Sequence, residues 1–226
     1  MLRSTLHYIH DPMCSWCWGF RSAWHDLTSR LLDTYPELII RNVLGGLAPD
    51  SDEPMPMEMQ QILQSTWQRI QHTIPNTSFN YDFWQVGEPR RSTYPACRAV
   101  IASAQQGTSP MQSHVNESAM ILAIQQAYYL QAKNPSNADT LIACAESIGI
   151  DVDLFTQELD SEKTQQLLMQ NIMEYQRLSR LSGVSGFPSL VLQYTRQGNE
   201  YYTNVFIDYN NPQAMLDTIQ QHLLFE

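Results

Sequence analysis

Lysine, cysteine and long apolar runs are all scarce in this chain of 226 residues. No apolar run approaches the roughly 20 residues of a membrane-spanning helix, so we expect no membrane partner. Only Lys133 and Lys163 are lysines, and 13 basic residues face 23 acidic ones, for a net charge of −10. Such a surface repels phosphate backbones, which argues against a nucleic-acid partner. Four cysteines are too few for a secreted scaffold held together by disulfides.

The remaining composition is that of a folded protein with a proper core. Hydrophobic residues make up 43% of the chain and charged residues 16%, which is typical of globular domains. The first eleven residues, MLRSTLHYIHD, carry charged and polar side chains. They are not followed by the apolar block and small-residue cleavage site of a signal peptide. The cytoplasm is therefore the predicted compartment.

The apolar pattern divides the chain into three parts. Residues 1–50 show a strand ending near Asp11, a C-x-x-C sequence, a helix and a second strand at Glu37–Leu44, an order that predicts a parallel pair with a crossover helix. Residues 51–180 contain five helical stripes and no strand pattern. Residues 181–226 contain two strands around a Gln197-Gly198-Asn199 turn and a last helix. The sequence therefore predicts an α/β protein whose sheet is interrupted by an all-helical insertion.

Apolar residues in the middle part recur at helical spacing, which predicts which side chains are buried. The stripes are Ile62, Leu63, Trp67, Ile70; then Ala96, Val100, Ile101, Ala104; then Met120, Ala123, Ile124, Ala127, Tyr128, Leu130; then Leu141, Ile142, Ala145, Ile148; and last Leu168, Ile172, Tyr175, Leu178.

Two cysteines, Cys14 and Cys17, stand where the first strand gives way to the first helix. Their spacing brings the sulfurs within about one helical turn, so they can close a small disulfide ring. The positive end of the helix dipole and its unpaired N–H groups stabilise a thiolate at Cys14. Cys17 lies one turn further in and should stay protonated until it is needed. This asymmetry predicts that Cys14 forms a mixed disulfide and that Cys17 resolves it.

Other interpretations of the cysteine pair are weaker. A structural zinc site needs two further ligands, and Cys97 and Cys144 belong to separate predicted helices. His7 and His10, three apart on a strand, point to opposite faces. Two unrelated core cysteines would not be expected directly between a strand and a helix. We therefore predict no metal and no cofactor other than the redox pair itself.

The segment from Asp11 to Phe20, DPMCSWCWGF, resembles the active-site segment of the thioredoxin-fold thiol-disulfide oxidoreductases of the DsbA family, in its cytoplasmic disulfide isomerase-like branch. The segment from Gly183 to Ser189, GVSGFPS, resembles that family's cis-proline loop, and 138–155 resembles the helical segment before it. The resemblance implies a thioredoxin fold (βαβ…ββα) with a large all-helical insertion.

The same resemblance implies roles for individual residues. Pro188 would be cis and pack beside Cys14, where its backbone binds an extended peptide, with Phe187 and Trp16 as further substrate-binding residues. The implied partners are protein or peptide disulfides and thiols, with glutathione as a candidate co-substrate. Phe187 departs from the small or β-branched residue common before this proline. Ser15-Trp16 departs from the Pro-His and Gly-Pro pairs of well-known members, which leaves the redox poise open.

Two other functions remain open at this stage. Glutathione-dependent isomerases of the 2-hydroxychromene-2-carboxylate type and kappa-class glutathione transferases share this layout but act from a serine, and the intact C-S-W-C sequence counts against them. A non-catalytic peptide-binding or chaperone module would use an apolar groove around Trp16, Phe187 and Pro188.

Several polar residues and thiols outside the pair have simpler expected roles. Asp11 and His10 are candidate proton relays for Cys17, although an aspartate at a strand end more often forms a turn or a cap. Arg90, Arg91 and Arg98 suggest a solvated or ion-paired basic surface. Cys97 and Cys144 are expected to act as small hydrophobic residues.

Overall fold

The computed structural model describes residues 4–223, and in that range the chain forms four strands and nine helices. Their bounds are β1 Thr5–His10, α1 Ser15–Thr34, β2 Ile39–Leu44, α2 Met57–Thr73, α3 Phe83–Val86, α4 Tyr94–Gln105, α5 Pro110–Tyr129, α6 Ala138–Ser147, α7 Val152–Leu159, α8 Glu162–Ser182, β3 Ser189–Arg196, β4 Asn199–Val205 and α9 Pro212–Leu223. The predicted order of strand, helix and strand, then helices, then two strands and a helix is confirmed. The short helices α3 and α7 were not among the predicted stripes.

Contacts divide the described residues into two compact units. The sheet unit contains the residues up to His10, Gly19–Gly45 and the residues from Asn171 onward. The helical unit contains Asp11–Trp18 and Gly46–Gln170. The sequence-based division into 1–50, 51–180 and 181–226 stays a prediction. Within the part of the chain that is described, no helix has both the length and the apolar composition to cross a bilayer.

The sheet has the strand order β2-β1-β3-β4. Strand β1 pairs in parallel with β2, with Leu6 opposite Ile40, which confirms the predicted parallel pair. Strands β1 and β3, and then β3 and β4, are antiparallel. The β3–β4 hairpin turns at Gln197 and Gly198, whose φ angles of 52° and 78° are both in the left-handed region. Such angles suit the right-handed twist of a tight hairpin.

Alternation along the strands places two apolar layers on opposite faces of the sheet. In β1, Leu6 and Tyr8 join one cluster, with Phe20 and Leu27 of α1 and with α9. Ile9 joins the other cluster, which contains Leu178 of α8 together with Val43, Val184 and Val191. Successive side chains of a strand point to opposite faces, so one strand supplies both layers. Each fully buried side chain of this size stabilises the fold by about 1.5–3 kcal/mol.

Several residues of the predicted helical stripes are not buried. Ile62 is 51% exposed, whereas Trp67 and Ile70 of the same helix are fully buried. At about 100° per residue, Ile62 falls outside the arc centred on the other apolar positions of α2. Leu130 was predicted to be buried, but it lies beyond the last residue of α5 and is 41% exposed. Seven other predicted members of the five stripes are only half-buried: Leu63, Ala104, Ala123, Ile142, Ile148, Ile172 and Tyr175.

The three arginines were predicted to form a solvated or ion-paired surface; Arg98 is ion-paired, but it is buried and does not belong to the surface. Arg98 on α4 is only 9% exposed, and its two terminal nitrogens donate to the carboxylate of Asp50 at 2.8 and 2.9 Å. Asp160 lies 3.6 Å from the same guanidinium. Residues 96–103 of α4 are all buried, so Arg98 lies inside the helical unit, where a carboxylate partner compensates for the loss of water.

Candidate active site

Cys14 occupies the N-cap position of helix α1. Its backbone N–H donates to the carbonyl of Asp11 at 3.0 Å, and its own carbonyl accepts from Trp18 at 3.0 Å. Its sulfur accepts from the backbone N–H of Cys17 at 3.3 Å. An N-cap side chain ordinarily accepts from the second or third N–H of the helix, and here a sulfur takes the place of the usual oxygen. Donor and dipole together favour a negative charge on that sulfur.

Cys17 lies on the inner side of the same turn and is fully buried, whereas Cys14 is 6% exposed. Burial raises the pKa of the Cys17 thiol, and the hydrogen bond with Cys14 and the charge of Cys14 raise it further. A hydrogen bond from the Asp11 backbone opposes these effects. Both cysteines are free thiols in the structure. The pair therefore consists of an outer sulfur at the N-terminus of α1 and an inner sulfur whose raised pKa favours the thiol.

The two residues between the cysteines contact the helical unit in different ways. The Ser15 hydroxyl accepts from the indole N–H of Trp67 on α2 at 2.9 Å, and both residues are buried. Trp16 is half-buried, and the guanidinium of Arg69 lies over its ring, 5.2 Å from the centroid. Helix α2 thus holds Ser15 inward and covers one face of Trp16.

An aromatic cluster of the helical unit packs against the C-x-x-C segment, and the helical stripes of the sequence did not predict it. Trp67 lies at its centre, and Tyr129 stacks on Trp18 with ring centroids 5.5 Å apart. The indole N–H of Trp18 donates to the carbonyl of Ser78 at 3.0 Å. The other rings against Trp67 are those of Phe79, Tyr81, Phe83, Trp84 and Tyr128. The only signal in the sequence is the frequency of aromatic residues at 79–84 and 128–129.

Asp11 is a fully buried carboxylate at the end of β1. One oxygen accepts from the backbone N–H of Met13 at 2.8 Å, which forms the turn that was predicted as the simpler role. The other oxygen accepts from the backbone of Leu47 at 2.8 Å and from the Thr93 hydroxyl at 2.7 Å. Burial raises the pKa of Asp11, and these hydrogen bonds lower it in part. His10, the second relay candidate, stacks on Tyr8 within the sheet unit, with centroids 4.6 Å apart.

Cys97 has a more specific role than the small hydrophobic residue that was predicted. The Cys97 sulfur donates, at 3.5 Å, to the same Asp11 oxygen that accepts from Thr93 and Leu47. Burial raises the pKa of the Cys97 thiol, and the negative charge of Asp11 raises it further, so Cys97 remains a donor. Cys144 on α6 does behave as a small buried residue, and burial raises its pKa to about 11.

Pro188 and Phe187 belong to the sheet unit, whereas the predicted site residues Cys14, Cys17 and Trp16 belong to the helical unit. The Phe187–Pro188 peptide bond is cis. The Phe187 ring packs on Tyr175 with centroids 5.0 Å apart, and the Tyr175 hydroxyl accepts from the backbone of Gly186 at 3.1 Å. A Cβ at Gly45 would lie 1.9 Å from Cε1 of Phe187, so the glycine makes room for this large side chain. The packing of Pro188 beside Cys14 stays a prediction.

The site residues give no metal-binding arrangement. Across residues 4–223, no group of three or more His, Cys, Asp or Glu side chains comes together in a way that could hold a metal ion. Asp11, Cys17 and Cys97 are connected through hydrogen bonds and charge. Their chemistry is that of thiols beside one carboxylate, which suits proton and disulfide exchange.

Comparisons with known proteins agree with this fold. Residues 7–210 match the family model described as thioredoxin, and no curated protein matches the sequence significantly. A candidate protein disulfide isomerase from Nitrosomonas europaea is 24% identical, with 98% of each chain covered and a TM-score of 0.77. The cytosolic disulfide reductase DsbM from Pseudomonas aeruginosa is 20% identical, with 98% of this chain and 100% of that chain covered and a TM-score of 0.68.

Two further structures bear on the alternatives. DsbM has also been solved with glutathione, and that structure is 19% identical to this chain, with 97% of this chain and 99% of that chain covered and a TM-score of 0.67. A 2-hydroxychromene-2-carboxylate isomerase is 13% identical, with 97% of this chain and 96% of that chain covered and a TM-score of 0.54. Likeness at such identities shows the fold, an α/β thioredoxin fold with a large helical insertion, as in DsbA-like oxidoreductases. Because the family model matches most of its length, the chain belongs to the thioredoxin family.

Proposed function

We propose that this protein is a thiol-disulfide oxidoreductase or disulfide isomerase that acts on protein or peptide disulfides through Cys14 and Cys17. The observation that carries the proposal is the pairing of an N-cap sulfur with a buried thiol one turn further in. The Cys17 N–H reaches the Cys14 sulfur at 3.3 Å, and burial keeps Cys17 protonated by raising its pKa. This is the division of labour that a two-step exchange needs.

In the first step the Cys14 thiolate attacks one sulfur of a substrate disulfide. The substrate S–S bond breaks, a Cys14–substrate disulfide forms, and the second substrate sulfur leaves as a thiolate that is protonated by water. The Cys17 N–H and the N-terminal end of α1 hold the charge on Cys14 before the attack. Trp16, Phe187 and Pro188 are the proposed substrate-binding residues.

In the second step Cys17 loses its proton and attacks the Cys14 sulfur. The mixed disulfide breaks, the substrate leaves as a second thiolate, and the enzyme retains a Cys14–Cys17 disulfide, so two electrons have passed to the substrate. In an isomerase cycle, a second thiol of the substrate attacks the mixed disulfide instead, and the enzyme is released in its dithiol form.

Asp11 is the proposed acceptor of the Cys17 proton. Its negative charge raises the pKa of Cys17, and burial raises its own pKa towards that of a thiol. The raised pKa of Asp11 makes this carboxylate a better acceptor for a proton that leaves Cys17. Thr93 and the backbone of Leu47 keep the acceptor oxygen in place.

Glutathione is the proposed reductant, and the cytoplasm the proposed compartment. DsbM, which shares the fold, is described as cytosolic and has been solved with glutathione. Two glutathione molecules would return the Cys14–Cys17 disulfide to the dithiol and leave as one glutathione disulfide, which balances the electrons passed to the substrate.

Trapping of the mixed disulfide tests the assignment directly. The Cys17→Ala variant should accumulate a covalent Cys14–peptide adduct when it is mixed with a peptide disulfide, because the resolving thiol is missing. The adduct is measured by intact mass without reductant. Cys144→Ala, which removes a buried thiol of α6, is the matched control and should behave as the unmodified protein. An adduct that persists in a Cys14→Ser Cys17→Ala protein, or full disulfide reduction by Cys14→Ser alone, would refute the assignment.

A glutathione-dependent isomerase or transferase is the second candidate, because a 2-hydroxychromene-2-carboxylate isomerase shares the fold over nearly the whole chain. Glutathione binding without any disulfide turnover would favour it. A Cys14 thiol that does not react with iodoacetamide at neutral pH would favour the non-catalytic peptide-binding module instead.

A further inference from the structure

The exposed side of the redox motif is formed by Trp16 and by Arg69 of helix α2. Trp16 stands between the two cysteines and is half-buried, while the Arg69 guanidinium lies 5.2 Å from its ring centroid. Trp67, two residues before Arg69, holds the Ser15 hydroxyl at 2.9 Å. Because α2 is fixed to the motif through Trp67, the fold determines the position of Arg69 over Trp16, the residue that stands between Ser15 and Cys17.

Arg69 differs in its partners from the three arginines Arg30, Arg98 and Arg177. Arg30, Arg98 and Arg177 each pair with a carboxylate at less than 3 Å. Arg69 is exposed, and among the residues that the structure describes no carboxylate lies within ion-pair distance of it. Its guanidinium contacts the face of the Trp16 ring. A guanidinium stacked in this way keeps its N–H donors along the edge, where they can bind an incoming carboxylate in a bidentate manner.

Arg69 also closes one end of a groove on the outer side of α2. The groove has a volume of about 510 Å³ and is lined by Glu58, Gln61, Ile62, Ser65, Thr66 and Arg69. It includes Ile62, which is 51% exposed, so an apolar contact lies next to the charged one. At 1.5 Å per residue the groove runs for about 16 Å along the helix, which is enough for a short extended peptide. Glu58 lies at one end of the groove and Arg69 at the other, so the two ends differ in charge and would orient a bound peptide.

We propose that this groove binds the peptide that carries the disulfide, and that Arg69 recognises a carboxylate located within a residue or two of the reacting cysteine. The inference rests on the proposed function and names its substrate class: acidic peptides, including small ones such as glutathione. A chain with a net charge of −10 repels such substrates in general. An arginine without a carboxylate partner, stacked on Trp16 of the C-x-x-C segment, supplies the local attraction that the overall charge lacks.

Two matched pairs of substrates test the proposal. Each is a mixed disulfide with the uncharged leaving group thiopyridine: a peptide with Glu next to Cys against the same peptide with Gln, and glutathione against its diethyl ester. The rate of thiopyridone release by the reduced protein measures the attack of Cys14. The unmodified protein should attack the acidic member about fivefold faster, the order of magnitude expected for a partly exposed ion pair. That preference should shrink as salt is added.

Three variants separate recognition from folding. Arg69→Gln should abolish the preference while the neutral peptides react at the unmodified rate. Arg69→Glu should reverse it in favour of a peptide with Lys next to Cys, which a merely structural role would not do. Arg180→Gln, at another exposed arginine on α8, removes the same charge and should leave the preference intact.

The outcomes distinguish this inference from the proposed function. A preference for the acidic member that depends on Arg69 supports the inference, whichever substrate pair shows it. The pair that shows the preference identifies either a peptide or glutathione as the source of the carboxylate. Equal rates for acidic and neutral members, or an equal slowing of both in Arg69→Gln, would overturn it while leaving the redox function in place. If no substrate forms a mixed disulfide at all, the proposed function and the inference both fail.

Discussion

The hydrogen bond between Trp67 and Ser15 allows the link between helix α2 and the redox motif to be measured. The indole N–H donates to the Ser15 hydroxyl at 2.9 Å, Trp67 is fully buried and Ser15 is 9% exposed. Ser15→Ala removes the acceptor and leaves a buried N–H without a partner. Trp67→Phe removes the donor together with part of the ring system. A double-mutant cycle on these two changes isolates the bond itself.

The expected magnitudes follow from burial. A buried donor without a partner costs about 1–3 kcal/mol, which is the expected loss for Ser15→Ala. Complete truncation of a buried tryptophan costs about 3–5 kcal/mol. Since a phenyl ring fills part of the same space, Trp67→Phe should cost about 2–4 kcal/mol. The double variant should be less destabilised than the sum of the two by about 1 kcal/mol, because either change alone already removes the bond.

Urea unfolding of the reduced protein, followed by circular dichroism, measures each free energy of unfolding. Trp84 provides the matched control, since its ring lies 4.8 Å from that of Trp67. Its buried indole N–H has no hydrogen-bond partner among the residues that the structure describes. Trp84→Phe should therefore add to Ser15→Ala within about 0.5 kcal/mol. If the Trp67 cycle is also additive, or the Trp84 cycle shows the same coupling, α2 does not anchor the motif as described.

Three other consequences follow from the environments of single residues. In the reduced protein at neutral pH, iodoacetamide should label Cys14 well before Cys17, because burial raises the pKa of the Cys17 thiol. Peptide masses locate the label, and equal labelling of the two cysteines would contradict the predicted difference in their reactivity. Gly45→Ala places a Cβ 1.9 Å from Cε1 of Phe187, so we expect a loss of about 1–3 kcal/mol in urea unfolding. Phe187→Ala should relieve that loss, and a loss unchanged in the double variant would exclude the clash as its cause. Burial lowers the pKa of His7 from 6.5, so below pH 6.5 the unfolded chain takes up a proton before the folded one and stability falls as the pH decreases. His7→Gln should flatten this fall, and an unchanged pH slope would show that the histidine does not contribute.

Local patterns were sufficient for most elements of the fold. Alternating residues in β1 and the apolar spacing of α1, α4, α5, α6 and α8 depend on neighbours within a few positions, so the sequence alone predicts them. The turn at Gln197 and Gly198 was predicted for the same reason. Ile62 shows the limit of this approach: it is apolar at helical spacing from Trp67, yet 51% exposed. Which arc of a helix becomes buried depends on what packs against it.

The candidate site likewise combines features that local sequence patterns predict with contacts that depend on packing. The C-x-x-C spacing and its place between a strand and a helix were sufficient to position Cys14 and Cys17 at the start of α1, because both features are local. The contact of Cys97 with Asp11 joins residues 86 positions apart, and that of Trp67 with Ser15 joins residues 52 positions apart. No local pattern marks such pairs.

For this protein, then, the sequence alone determined the order of the elements and the place of the C-x-x-C pair at the start of a helix. Helical and strand periodicities and the N-terminal charge of a helix arise within one or two turns of chain. The tertiary structure decided what surrounds that pair: the buried carboxylate with its thiol donor, the indole that holds Ser15, and the arginine that lies over Trp16. Those neighbours come from distant segments, and only the packing of α2 and α4 brings them to the motif.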